Sequence, residues 1–173
     1  TQEYTGTFYI EPEFPNILYF IDGHYYNIGG YSIFVMGGAY SVDKHYRLAM
    51  GYKWFPEEQM NENERICMTS LFDHGYPVDF IFTHTCPYTW QPFDLFLAGI
   101  DQSTVDKSME IWLNNLKETF AWNYWLFGHY HADRIERPYV EQFYREFEDL
   151  ESIIKRWQKY DLEGTIDWWM PCS

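Results

Sequence analysis

Residues 78–84, VDFIFTH, decide how this chain folds, and residues 123–129, NYWLFGH, are built the same way. Each is a largely apolar run of strand length with a histidine at or just past its C-terminal end. A strand solvated on one face alternates apolar and polar residues. A nearly continuous apolar run belongs instead to a strand covered on both faces, inside a parallel or mixed sheet. Between the two runs, residues 103–121 read as a helix. Ser103 is placed to cap it, and Val105, Met109, Trp112, Leu113, Leu116 and Phe120 form the apolar stripe of an amphipathic helix. Strand, helix, strand implies a layered α/β fold. In such folds ligands occupy the crevice beyond the C-terminal strand ends, the edge that holds His84, His129 and His131.

Working outward, residues 1–15 carry Gly6, Pro12 and Pro15 and are expected to be an irregular lead-in. Strands are expected at 17–20, 24–28 and 31–36, separated by turns at Asp22-Gly23 and Gly29-Gly30. The last of these ends in Gly37-Gly38, which permits a sharp turn or close approach of the backbone to a ligand. Pro56 opens a helix expected to run to residue 72, before Gly75 and Pro77. Beyond Pro138, residues 140–157 fit a helical stripe, while 140–147 also alternate acceptably as a strand.

The length of 173 residues suits one domain with a real core, and neither a repeat nor a linker divides it. With 46% hydrophobic and 22% aromatic residues, the composition excludes a disordered chain. No apolar run is long enough for a membrane span, and the N-terminus has no signal-peptide pattern, so no membrane partner is expected. A net charge of −14 repels phosphate backbones, so nucleic acid is not expected as a general partner. Cys67, Cys86 and Cys172 are odd in number and lack metal-ligand spacing. They read as free thiols of a reducing compartment, the cytoplasm.

The histidines carry the chemistry. On a strand-like turn, His129 and His131 face the same way, and His84 from another strand supplies a third nitrogen. Three neutral imidazoles could hold one divalent metal, or could be ordinary histidines on turns. His24, His45 and His74 read as solvated. Asp43 and Arg47, close behind Gly37-Gly38, either line the same crevice and contact substrate or sit on a surface turn. Cys86 has no basic partner nearby in sequence and reads as an inert thiol. The loop at 86–96, CPYTWQPFDLF, is either a packed surface loop or a wall for an apolar leaving group.

Taken in order, FVMGGAYSVDKHYR (34–47), WFPEE (54–58), DFIFTHTCP (79–87) and WLFGHYHADR (125–134) resemble the C-terminal half of calcineurin-like metallophosphoesterases, in their bacterial phosphatase and phosphodiesterase-like branch. The resemblance spans about residues 17–134. It implies the C-terminal part of a four-layer α/β/β/α sandwich, with mixed sheets flanked by helices. It also implies a phosphoester hydrolase that uses hydroxide held by two metal ions (Mn, Fe or Zn) on a phosphorylated small molecule or phosphoprotein. His84 and His129 then match ligands of the second metal and His131 a ligand of the first, and the tail becomes a strand at 139–148 and a helix at 150–160.

The family's D-x-H, G-D-x-x-D and G-N-H-D/E blocks have no counterpart. The nominal match Asp22-Gly23-His24 lies in the wrong part of the chain. Residues 1–173 are therefore expected to form a single partial domain, truncated in origin. It should bind at most one ion weakly, hydrolyse phosphoesters poorly alone, and self-associate through surface bared by truncation. The alternatives are a non-catalytic binding or scaffold module that keeps the fold, and half of a split enzyme completed by another chain.

Overall fold

A row of covered strands organises the molecule. The computed structural model describes residues 4–72, 77–96, 98–99 and 101–163. Along the chain run β1 (Tyr4–Thr5), β2 (Phe8–Ile10), β3 (Leu18–Phe20), β4 (Tyr25–Ile28), β5 (Tyr31–Met36), α1 (Lys44–Ala49) and α2 (Glu62–Phe72). They are followed by β6 (Val78–Thr83), α3 (Ser108–Thr119), β7 (Trp122–Phe127), β8 (Arg134–Arg137), β9 (Val140–Gln142) and α4 (Leu150–Glu163). Seven strands form one mixed sheet in the order β1-β4-β5-β6-β7-β9-β8, and β2 pairs with β3 in a separate ribbon. The four central strands, β5, β6, β7 and β9, are mutually parallel, and antiparallel strands close both flanks.

Alternation along these strands explains their apolar sequences. Phe34, Met36, Ile81, Trp125 and Phe127 face a core completed by Met109, Leu113 and Leu116 of α3, with Met68 of α2 against it. Ile33, Phe80, Tyr124 and Leu126 face the opposite core, completed by Ile153, Ile154 and Trp157 of α4 and by Phe8 and Phe20 of the ribbon. Both faces are covered, so both parities are apolar. The architecture is thus mixed α/β, a mixed sheet flanked by helices, and no helix among the described residues is long and apolar enough to cross a membrane.

Several elements depart from the sequence expectations. Residues 4–10 are not an irregular lead-in, since β1 extends the main sheet beside β4 and β2 pairs with β3. The helix over 56–72 is broken: Pro56–Glu58 make one 3-10 turn and Gln59 is extended. The break lowers Met60 into the core at 8% exposure. A reciprocal cap then starts α2, with Glu64 N–H donating to Asn61 Oδ1 at 3.1 Å and Asn61 N–H to Glu64 Oε2 at 2.7 Å.

The third helix begins at Ser108 rather than 103. Asp101 Oδ1 accepts the backbone N–H of Ser103 at 2.9 Å and its hydroxyl at 2.7 Å, closing a separate 3-10 turn after which Val105 is extended. The expected strand at 139–148 is shortened to β9 because the Asp133 carboxylate gathers the N–H groups of Tyr144, Arg145 and Glu146 into a turn. His74 and Cys172 lie outside the described residues. Cys67 is exposed and Cys86 buried, both as free thiols.

The tail helix is locked by a buried charge. Glu141 of β9 is fully covered, and its carboxylate accepts from the Arg156 guanidinium and, at 2.7 Å, from Trp157 Nε1–H. Truncating Trp157, itself 0% exposed, removes both packing and a donor to a buried acid. Trp157→Ala is expected to cost about 3–5 kcal/mol in urea unfolding. Trp157→Phe, which keeps most of the ring but not the N–H, should cost about 1–3 kcal/mol. Equal stability of Trp157→Phe and the unaltered protein would show that the indole bond to Glu141 contributes nothing.

Candidate metal centre

The parallel strands end in line. Met36 pairs with Thr83, Thr83 with Phe127, and Phe127 with Gln142, so the next residue of each strand emerges at one edge of the sheet. Gly128 N–H donates to the His84 carbonyl at 3.0 Å and carries the β6–β7 contact one step past the strands. His84 and His129 are consequently neighbours, with His129 Nδ1 and His84 Nε2 3.3 Å apart and ring centroids 5.1 Å apart at 68°.

The turn that presents them is strained. His129 and His131 both have positive φ, 73° and 57°, a region that residues with a Cβ seldom enter. Tyr130 between them holds the turn down. Its ring lies edge-on to Phe127 and stacks on Phe96, and its hydroxyl reaches Thr85 Oγ1 at 3.0 Å and accepts from Gln91 Nε2 at 3.2 Å. With Tyr130 committed to the interior, the flanking histidines are turned outward. Backbone strain of this kind, roughly 1–3 kcal/mol per residue, persists where surrounding contacts over-determine it and concentrates at functional sites.

The cleft above this turn encloses about 640 Å³, and all five sequence-predicted residues line it: His84, His129, His131, Asp43 and Arg47. They are not equally placed. His84 and His129 touch, whereas His131 stacks on Tyr144 with centroids 4.6 Å apart at 22°. The closest histidine pair is therefore the one joining two strands, not the one within the H-x-H motif. Among the described residues no three His, Cys, Asp or Glu side chains converge as a metal-binding group. Asp43 accepts from Arg47 Nε at 2.6 Å and from Ser41 Oγ at 2.9 Å, so the pair forms a pre-oriented rim at the start of α1, where the sequence leaves a crevice wall and a surface turn both open.

The Gly37-Gly38 approach is to the protein itself. Gly37 N–H donates to Asp22 Oδ1 at 2.6 Å, and a Cβ on Gly38 would come 3.2 Å from the Glu58 carbonyl. The aromatic loop is both packing and wall, since Trp90 is buried while Leu95 and Phe96 line the cleft. Burial pushes the Cys86 thiol well up, in keeping with an inert role. His24 and His45 are exposed.

The floor of the cleft holds residues the sequence reading passed over. Thr85 Oγ1–H donates to Glu110 Oε1 at 2.8 Å, and both residues are buried. The available signal was an acid beside Met109 and one helical turn before Leu113, on the apolar arc of α3.

Electrostatics keep the histidine pair uncharged. Burial first, then the neighbouring imidazoles of His84 and His131, takes His129 down to about 4. His84 is lowered by burial and by His131. Near neutral pH each ring therefore has a lone pair to offer. Comparison of the chain with protein-family models, curated proteins and solved structures returned no match.

Because both values are depressed on folding, the unfolded chain binds more protons in this range. The associated stability is complete above about pH 6.5 and is lost as pH falls through the folded values, near 4 for His129. A ring-proton NMR titration of metal-free protein should place the His129 midpoint near 4. His129→Gln should soften the loss of urea stability between pH 6.5 and 4. A His129 midpoint at or above 6.5 would mean the ring is not desolvated as described.

Proposed function

We propose that this cleft is part of a metal-dependent phosphoester hydrolase site of the calcineurin-like kind, with His84 and His129 as ligands of one divalent ion. The observation that carries the reading is the 3.3 Å separation of His84 Nε2 and His129 Nδ1. Two imidazole nitrogens each about 2.0–2.1 Å from a tetrahedrally coordinated ion lie about 3.3–3.4 Å apart. Uncharged rings, held at that spacing by a strand-to-strand hydrogen bond, suit a divalent cation such as Mn, Fe or Zn. A cation there would supply Lewis acidity and charge compensation for transfer of a phosphoryl group to water.

The chain's own groups would do the rest. Arg47, held by Asp43, offers a fixed cation at the rim for a phosphate oxygen, and the strained turn keeps His129 from swinging away. His131, on the far side of Tyr130, would complete the site after leaving its stack on Tyr144. What supports the reading in the fold is coarser, a mixed sheet flanked by helices; α4 covers the sheet face that a four-layer α/β/β/α sandwich gives to its second sheet. The substrate would be a phosphorylated small molecule or phosphoprotein.

One observation favours a second reading. With no third ligating side chain beside the pair among the described residues, the site needs carboxylates from elsewhere. That suits half of a split or longer enzyme, or a module that keeps the fold without the chemistry. In either case the chain alone is expected to bind at most one ion.

Calorimetric titration with Mn²⁺ and Zn²⁺ should show no more than one ion per chain. His84→Ala and His129→Ala should each weaken binding at least about tenfold, and His131→Ala less. Hydrolysis of p-nitrophenyl phosphate by the chain alone should be slow or absent. Unchanged ion binding in a His84→Ala/His129→Ala double variant would overturn the assignment.

A further inference from the structure

Beneath the histidines, a line of hydrogen bonds runs in one direction. Gln91 Nε2–H donates to the Tyr130 hydroxyl at 3.2 Å, the Tyr130 hydroxyl to Thr85 Oγ1 at 3.0 Å, and Thr85 Oγ1–H to Glu110 Oε1 at 2.8 Å. The direction follows from Thr85, whose single proton is given to Glu110 and which can therefore only accept from Tyr130. The line ends in two unmatched atoms, Gln91 Oε1 at its start and Glu110 Oε2 at its end, each buried without a hydrogen-bond partner. Glu110 is 3% exposed and Gln91 8%, yet both side chains line the cleft.

Two orphaned acceptors joined by one network are expensive. A buried acceptor without a partner is destabilising, and more so if charged. Among the described residues no lysine or arginine forms an ion pair with Glu110. Lys107, whose charge acts on Glu110 without pairing with it, has its ammonium over the faces of Tyr88, Phe93 and Phe96 at 5.7, 5.9 and 5.3 Å. The terminal torsions of Glu and Gln are soft, so both oxygens can turn toward the cleft at small cost. Around them the walls are apolar or aromatic, with Leu95, Val105 and Phe96 beside Tyr130. Two unmatched acceptors, in a chain of net charge −14, suit a compact cation that donates several hydrogen bonds.

We infer that the cleft floor between Glu110 and Gln91 is a subsite for a primary ammonium group. As a statement about substrate it rests on the phosphoester reading: the ester's alcohol would carry the ammonium, with the phosphate at the histidine pair above. As a binding site it stands on Glu110, Gln91 and Tyr130 alone. A neutral polyol would use the acceptors but gain little from the acidic field. An alkyl group would leave both acceptors unmatched.

The test is calorimetric titration of the full chain with 3-aminopropan-1-ol, propane-1,3-diol and butan-1-ol, alongside Mn²⁺. Saturable binding of the amino alcohol, at least about tenfold tighter than the diol or butanol, is expected. Glu110→Gln and Gln91→Met should each lower its affinity by about tenfold or more while leaving Mn²⁺ binding intact. If Glu110→Gln fails to fold by near-ultraviolet circular dichroism, Gln91→Glu, which keeps the size and the acceptor but removes the amide donor, and Gln91→Met, which removes both the acceptor and the donor to Tyr130, carry the comparison, with affinity expected to fall only in Gln91→Met. Equal binding of diol and amino alcohol, or amino alcohol binding unaffected by either substitution, would overturn the subsite. Amino alcohol binding that is lost in Glu110→Gln, in a chain that takes up no Mn²⁺, would uphold the subsite and remove the phosphoester reading.

Discussion

The bond from Gly128 N–H to the His84 carbonyl, at 3.0 Å, is the contact on which the site depends. It is the last rung of the β6–β7 ladder, placed one residue beyond the point where both strands stop. Residues are paired across four parallel strands, so the residue after each strand end is set by register rather than by the local turn. A slip of one residue would reverse every side chain on β6 or β7 between the two cores. The apolar residues on both parities would then meet the wrong partners, so the packing that holds the sheet also holds the histidines. Position at the site is thus inherited from the core.

The same edge gathers several costly features. Positive φ at two histidines, a carboxyl oxygen without a partner and two depressed imidazoles lie within one cleft. Elsewhere the buried acid is satisfied: Glu141 accepts from Arg156 and Trp157. The contrast between the two buried glutamates is informative. One is neutralised by a guanidinium and an indole and anchors α4 to the sheet. The other receives one hydroxyl and keeps its second oxygen buried without a hydrogen-bond partner, although the residue lines the cleft.

Within the cleft, chemistry is layered. Arg47 and Asp43 form a charged rim, the histidine pair the middle, and Glu110 with Gln91 the floor. A substrate with an anionic group and a donor-bearing tail would match all three levels at once. The histidine pair is the least complete level, because two imidazoles leave most positions of a cation open.

How much of this was legible in the sequence depends on the range of the forces involved. Strands β5, β6 and β7 were readable because burial on both faces leaves a local, continuous apolar signature, and the histidines after β6 and β7 placed the site at the correct edge. Broken helices were not readable, since Met60 is drawn into the core and Asp101 and Asn61 compete for backbone N–H groups at positions where the apolar stripe runs on. Nor was β8, which alternates poorly and is stabilised by pairing with β9. By itself the sequence determined that the chain is α/β and that His84, His129 and His131 gather at one edge. Only the tertiary structure decided that His84 and His129 meet while His131 stands against Tyr144, and that Glu110 lies under the cleft. Those relations are set by strand register and by packing between residues 13 to 45 positions apart, distances over which local pattern carries no information.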